Sequence, residues 1–417
     1  MPKQKTQTVR RMPSFLLALF AFISLGLVCY VCIAPLLWRL RRLLGVLVFV
    51  PNSSQVNNLR PTVRIGILGA ARINRAAILA PSLFMRDRVT ITAIAARDRS
   101  RAEDLARGFN INKVYGDYQS VVDDPDVDAV YIPLPNGLHF VWAKRALLSG
   151  KHVLVEKPIA SNADEVEELI KIAKQMDRLI MEATHSFHHP SLIRVRDLVR
   201  KGEIGLIKGL EAKFNVQISD RKDIRFNCGG TEPRLAGGAT MDLGLYCIHA
   251  FRFVSDKSFS TVVDARAVTV FNNQVDESMH ATLEDDDGVR ATMDVSFNSG
   301  LFDLASVLKI HGTGGSIVVY NFHQPSLWNR IYVTRSGQTT RTESIYGTNG
   351  KSTYEHMLSE FVNQVAMHMR GQGGPVQSRV GGMLDDFLGV MRIIDDIYQA
   401  ARMEKRVGFP DDSQILS

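Results

Sequence analysis

The chain of 417 residues reads as a doubly wound parallel α/β sheet followed by an α+β domain with a large, mainly antiparallel, open-faced sheet. Three observations predict this. Between 63 and 182, short apolar runs alternate with helical segments at the spacing of repeated strand-helix-strand units. Runs such as Val153-Leu154-Val155 are continuously apolar, as strands covered on both faces are. Beyond Pro190 the pattern turns to successive strands with hairpin signals.

Val63 to Leu68 is the first predicted strand, Gly69-Ala70-Ala71-Arg72 a tight turn, and a helix starts at Ile73. The second strand, Val89 to Ala96, runs into Arg97, and Ser100 with Glu103 predicts the cap of a helix over 101–109. A third strand is expected over 127–134, a helix over 140–149, a strand over 152–155, a helix over 162–176 and a strand over 179–182. Later strands are expected over 208–216, 261–271, 279–284, 289–297, 307–311 and 315–320, with Glu284 to Gly288 as a solvated hairpin tip. An amphipathic helix closes the chain over 380–402, with Phe387, Met391, Ile394 and Tyr398 at core spacing. The predicted organisation is an anchor over 1–50, a linker over 51–62, a dinucleotide-binding domain over 63–186, a sheet domain over 187–375, and a helix over 376–406 packing back on the core.

The formal charge is +7 and the pI about 9.2. Residues 1–50 hold seven basic side chains and no acidic one, so the remaining 43 basic residues balance 43 acidic ones. The excess flanks an apolar run instead of forming a folded basic surface, which argues against a nucleic-acid partner. Ser14 to Trp38 is 25 residues without a charge, longer as a helix than the ~30 Å core of a bilayer. It reads as an uncleaved, single-pass transmembrane helix; a cleaved leader would have an apolar region of only ~7 to 15 residues. Cys29 and Cys32 fall inside that run, leaving Cys228 and Cys247. No disulfide framework is apparent, which points to a reducing compartment.

Gly150 to Pro158 puts Glu156 and Lys157 at the carboxyl end of an apolar strand, the edge where open α/β sheets bind ligands. Taken alone, a solvated ion pair before a turn proline accounts for these residues equally well. The turn at Gly69 adds a second signal, because a helix amino terminus offers free N–H groups and a partial positive charge to a pyrophosphate. Gly69 fits the first position of G-x-G-x-x-G, with Ala71 and Asn74 at the other two and Arg72 beside them. Where a carboxylate would accept hydrogen bonds from the ribose diol of NAD, the second strand ends in Arg97, which favours NADP. Arg99 and Arg101 read as decoration of a helix start.

These segments, with Tyr131 to His139, Met181-Glu182-Ala183, His189-Pro190 and Gly237 to Tyr246, resemble the glucose-fructose oxidoreductase, inositol dehydrogenase and MocA family over most of residues 63–406. The branch they look most like holds NADP-dependent aldose and dihydrodiol dehydrogenases. The resemblance implies a Rossmann-type first domain, a homodimer, a cis Pro158 and no metal. It implies that Lys157, Asp242 and Tyr246 carry the chemistry, with Tyr246 as proton-transfer residue. Cofactor contacts are implied at Gly69, Ala71, Arg72, Ile73, Arg97, Leu134, Asn136, His139, Glu156 and Lys157. If 242–249 is helical, Asp242, Tyr246 and His249 share one face, and Lys157 beside Tyr246 would pull the phenol below its usual pKa of ~10.

One position departs from the family. Phe187 stands where an Arg often precedes the His-Pro pair, which moves the expected substrate from a simple sugar towards a more apolar cyclic alcohol or ketone. His185 and His188 have metal-ligand spacing but no accompanying carboxylate or Cys, and Gly350-Lys351-Ser352 is no phosphate loop because position 345 is Ile. The expected activity is hydride transfer between NADP and a secondary alcohol or carbonyl carbon of a cyclic polyol, sugar or dihydrodiol-like substrate, at a membrane, with the catalytic domain on the cytosolic side, where the cofactor is supplied. The alternative is a non-catalytic NADP-binding regulatory or scaffold protein of the same fold.

Overall fold

The computed structural model describes residues 62–226, 235–271, 275–300, 305–346, 350–372 and 376–409. The predicted anchor and almost all of the linker lie outside these residues. Among the described residues no helix is long and apolar enough to cross a membrane.

The first sheet holds β1 (Val63–Leu68), β2 (Val89–Ala95), β3 (Lys113–Tyr115), β4 (Ala129–Ile132), β5 (His152–Val155) and β6 (Ile180–Glu182) in the order β3-β2-β1-β4-β5-β6. Every neighbouring pair is parallel. Strand order reverses between β1 and β4, so their carboxyl ends open a crevice. β4 and β5 are buried throughout, which is why their apolar runs are unbroken. The expected third strand is twice the length of β4, because the apolar run continues into the loop at Leu134. The connecting helices are α1 (Arg99–Phe109), α2 (Tyr118–Val122), α3 (His139–Leu148) and α4 (Ala163–Gln175).

After β1 the chain makes a wide π turn, Arg75–Leu79, before Ala80–Leu83. Pro81 has no N–H to continue the regular ladder there. α1 starts earlier than expected, because Asp98 and not Ser100 is its cap: the Asp98 carboxylate accepts from the Ser100 N–H at 3.1 Å and from its hydroxyl at 2.6 Å.

α5 (Pro190–Arg200) leads to the second sheet, made of β7 (Ile207–Asn215), β8 (Phe259–Val270), β9 (Val275–Asp285), β10 (Arg290–Ser296), β11 (Ala305–Gly312), β12 (Gly315–Tyr320), β13 (Arg330–Arg335) and β14 (Arg341–Glu343). Their order is β14-β13-β12-β11-β7-β10-β9-β8, antiparallel except between β7 and β10. The acidic run is a hairpin tip as expected: Asp285 accepts from the N–H groups of Asp287 and Val289, and Lys257 pairs with Asp285 and Asp287.

A second π turn, Thr240–Gly244, leads into α6 (Leu245–Ser255), and the two pack across β7 and β10. α7 (Thr353–Met369), inside the predicted sheet domain, returns to the first sheet instead, where Arg88 donates to Asn363 and Ser359. α8 (Val376–Ala400) packs on α4 and α6 and buries Phe387, Met391, Ile394 and Tyr398, as the amphipathic pattern requires.

Candidate active site

Gly69 has φ +118°, and a Cβ there would stand 3.0 Å from Leu134 Cδ2, so the turn and its close approach to β4 require glycine. Asn74, at the third fingerprint position, is fully buried and donates to the Gly69 carbonyl at 2.8 Å. It closes the turn that a third glycine would otherwise make compact, and its Oδ1 is buried without a partner. Ala71 and Ile73 are half-buried, and Arg72 and Arg97 are exposed at the mouth. Arg99 pairs with Glu103 on the surface, but Arg101 crosses to the turn and donates to the Ala70 carbonyl at 2.9 Å. The decorative reading therefore holds for Arg99 and fails for Arg101. A tight turn at Gly69 with three guanidinium groups beside it suits a dinucleotide bearing an extra phosphate.

His139 is fully buried, with its two ring nitrogens each 2.7 Å from the carbonyl oxygens of Pro158 and Leu134. Burial pushes its pKa down against the pull of those carbonyls. It braces the loops after β4 and β5 and acts through them instead of presenting a group to the crevice. Asn136 donates to Ala236 at 2.9 Å, joining the β4 loop to the segment before α6. The Lys157–Pro158 peptide is cis, as the resemblance implies.

Lys157, at the end of β5, forms an ion pair with the Asp242 carboxylate and donates to the Asp242 carbonyl at 2.9 Å. The second Asp242 oxygen accepts from Arg225 at 3.0 Å, and Arg225 also pairs with Asp223. Burial works against the Asp242 charge, but Lys157 and Arg225 outweigh it and hold the carboxyl below its usual range. Tyr246 is 5% exposed. Its phenol lies 3.2 Å from His185 Nε2, and Lys157 Nζ is 5.2 Å from its ring centroid.

Burial pushes the Tyr246 phenol well above its ordinary pKa, and Tyr354, Glu156, Asp242 and Glu182 add to the rise. The expected lowering by Lys157 is thus overturned, because that ammonium is committed to Asp242. Glu156 accepts from the Tyr131 phenol at 2.6 Å, and its pKa is raised by burial.

Lys157, Asp242 and Tyr246 therefore meet in one cleft, but His249 does not join them. It turns to Glu182 at 3.0 Å and Asp386 at 3.3 Å. The π turn holding Asp242 changes the helical phase before Tyr246, so spacing along one regular helix does not apply. Phe187 also faces away, its ring 5.2 Å from His249 and 5.4 Å from Phe253, beside a cavity of about 460 Å³. The place next to Tyr246 belongs to His185, whose ring lies 4.1 Å from that of Tyr354. His185, Tyr354, Arg225 and His323, whose ring lies 6.2 Å from that of Tyr246, carry no motif that marks them in the sequence as parts of the site. Only His185 carries a signal, its spacing to His188, and that spacing suggests a metal pair.

Residues 63–184 match the model of an oxidoreductase family with an NAD-binding Rossmann fold, and residues 192–318 match the GFO/IDH/MocA C-terminal domain. The chain is similar to a D-xylose 1-dehydrogenase (NADP(+)) of Haloferax volcanii, 31% identical over 340 residues that cover 81% of this chain and 96% of the relative. It is similar to a dTDP-3,4-didehydro-2,6-dideoxy-alpha-D-glucose 3-reductase of Saccharopolyspora spinosa, 34% identical over 274 residues, 66% of this chain and 79% of the relative. A 3-ketoreductase from Actinomadura kijaniata, solved with NADP and TDP-benzene, superposes with a TM-score of 0.70 at 25% identity, over 84% of this chain and 100% of that one. With both halves of the fold matched in sequence and in architecture, the chain belongs to the GFO/IDH/MocA family of oxidoreductases.

Proposed function

We propose that the protein is an NADP-dependent dehydrogenase or reductase that moves hydride to or from a CH–OH carbon of a cyclic, sugar-like substrate. The observation that carries this reading is the convergence of Lys157, Asp242 and Tyr246 at the carboxyl edge of β5, in the crevice bounded by the Gly69 turn. The turn at Gly69, Ala71, Arg72 and Ile73 would hold the pyrophosphate. Arg97 and Arg101 would take the 2'-phosphate, and Leu134, Asn136, Glu156 and Lys157 would line the nicotinamide half. The bound nicotinamide supplies or accepts the hydride. Tyr246 exchanges the proton of the reacting oxygen, and Lys157, oriented by Asp242, donates a hydrogen bond to that oxygen.

Arg225 supplies a cation that position 187 lacks, which returns a hydroxyl-rich substrate to favour over the apolar one that Phe187 suggested. The relatives act on a pentose and on a nucleotide-linked deoxysugar, so aldoses and keto-sugars head the substrate panel. A single-pass anchor over 14–38 belongs to the same proposal, supported by the uncharged length of that segment, and a cytosolic catalytic domain is supported by the need for a supply of NADP.

The test is absorbance at 340 nm with the detergent-solubilised full chain, NADP or NADPH, and a panel of aldoses, keto-sugars, dihydrodiols and cyclic ketones. Turnover is expected with NADP in preference to NAD. Tyr246→Phe should lose roughly 100- to 10,000-fold in kcat while NADPH affinity stays. Undiminished turnover in that variant would sink the mechanism. Tight NADPH binding without turnover on any substrate would favour the regulatory or scaffold alternative.

A further inference from the structure

His185 and Tyr246 come from different elements, one from the segment after β6 and the other from α6, and their polar atoms meet at 3.2 Å inside the cleft. His185 is 3% exposed. No other hydrogen-bond partner of the phenol is found among the described residues. Lys157, the nearest cation, is engaged by Asp242. A phenolate would stand among Glu156, Asp242 and Glu182, which raise the cost of its charge. A route that keeps the phenol neutral avoids that cost.

We infer that His185 is a proton-relay residue, whose Nε2 takes the phenolic proton of Tyr246 as Tyr246 takes the proton of the substrate hydroxyl. This inference rests on the oxidoreductase reading above. In the oxidative direction the substrate C–H bond breaks and its hydride passes to the nicotinamide of NADP+. The hydroxyl proton moves to Tyr246 Oη, and the phenolic proton moves to His185 Nε2. The alcohol is oxidised to a carbonyl, NADP+ is reduced, and His185 ends as imidazolium. Reduction runs the same steps backwards.

The surroundings suit that role. Burial lowers the His185 pKa well below its ordinary value, and His323, Lys157, His188 and His189 lower it further, so the resting ring is neutral and the imidazolium formed in the step gives its proton up readily once the reaction is complete. Tyr354 of α7 stacks on it, and Tyr246 of α6 faces its Nε2. Its Nδ1 is buried without a partner, and in the tautomer that carries its proton on Nδ1 the Nε2 lone pair faces the phenol. Because it acts through Tyr246, His185 is a positioning residue, and its loss should change proton handling more than binding.

The test compares the full chain with His185→Gln, which keeps a hydrogen-bonding side chain but cannot take up a proton. The relay predicts a kcat loss of roughly 100-fold, KM and NADPH affinity within about 2-fold, and partial rescue of His185→Ala by added imidazole. A second measurement needs no turnover: the His185 ring resonance, assigned through its contact with Tyr354, should shift when Tyr246→Phe removes the phenol. Wild-type kcat and pH profile in His185→Gln, or a His185 resonance unmoved in Tyr246→Phe, would overturn the relay. An inactive wild type would instead fail the oxidoreductase reading, whereas an active wild type with an equally active His185→Gln fails the relay alone.

Discussion

Lys157 and Asp242 form an ion pair that ties the carboxyl edge of the first sheet to the turn before α6, with side chains 15% and 20% exposed. Asp242 is shared: one oxygen meets Lys157, the other Arg225. Removing the carboxylate leaves two cations close together, Lys157 with only the Asp242 carbonyl and Arg225 with only Asp223, while removing Lys157 leaves Asp242 its contact with Arg225. Asp242→Asn should therefore cost more stability than Lys157→Met, ~2 to 3 kcal/mol against ~1, both below the 3 to 5 typical of fully buried pairs because some water reaches the site. Urea unfolding of the two variants measures the difference. A larger loss in Lys157→Met would contradict the sharing.

The guanidinium groups around the Gly69 turn predict cofactor choice. A charge-assisted hydrogen bond contributes ~1.5 to 3 kcal/mol, so Arg97→Ala or Arg101→Ala should weaken NADPH roughly 10- to 100-fold and leave NADH within about 3-fold. Fluorescence titration with both nucleotides reads the ratio. Equal losses for the two cofactors would remove the 2'-phosphate assignment.

Gly69 is doubly constrained, by its positive φ and by Leu134 3.0 Å from where a Cβ would stand. Gly69→Ala should cost ~1 to 3 kcal/mol and push the β4 loop away from the turn. Losses should thus appear in NADPH affinity as well as in thermal stability. A variant that binds NADPH normally would show that the close approach is not needed.

How far the sequence could be read depended on the range of the forces involved. Val63–Leu68 and His152–Val155 are strands to the residue because burial on both faces leaves Ile65 to Leu68 and Val153 to Val155 free of polar side chains. β3 escapes because three half-buried residues, Lys113 to Tyr115, carry no period. α5 escapes because Pro190, which reads as a break, occupies the first turn, where its missing N–H costs nothing. α7 was signalled by the reciprocal capping of Ser352 and Glu355, a pattern visible in the chain but easily lost among polar loops. At the site, Lys157, Asp242 and Tyr246 follow from motifs. His185 beside Tyr246, 61 residues apart, and Arg225 on Asp242 depend on how the two sheets pack, which no local pattern encodes.

His249 predicts the pH dependence of stability. It is 3% exposed and lies between Glu182 and Asp386, with Arg252 also on Asp386. Burial opposes its charge, but the hydrogen bonds to Asp386 and Glu182 outweigh burial and lift its pKa to about 9. The unfolded value is ~6.5, so the folded protein holds this proton more tightly. The resulting stabilisation is fully present below about pH 6.5 and is lost as pH rises through about 9. Burial lowers the pKa values of His139, His152, His185, His188, His189, His323 and His356, so their titration falls below that window. Urea unfolding between pH 6 and 9 should show wild-type stability falling by a few kcal/mol, with a much flatter profile in His249→Gln. Parallel profiles would mean the imidazolium contributes nothing. Because Glu182 also accepts from the Ile159 N–H just beyond the cis Pro158, losing this charge should loosen the loop carrying Lys157, and NADPH affinity should decline over the same pH range.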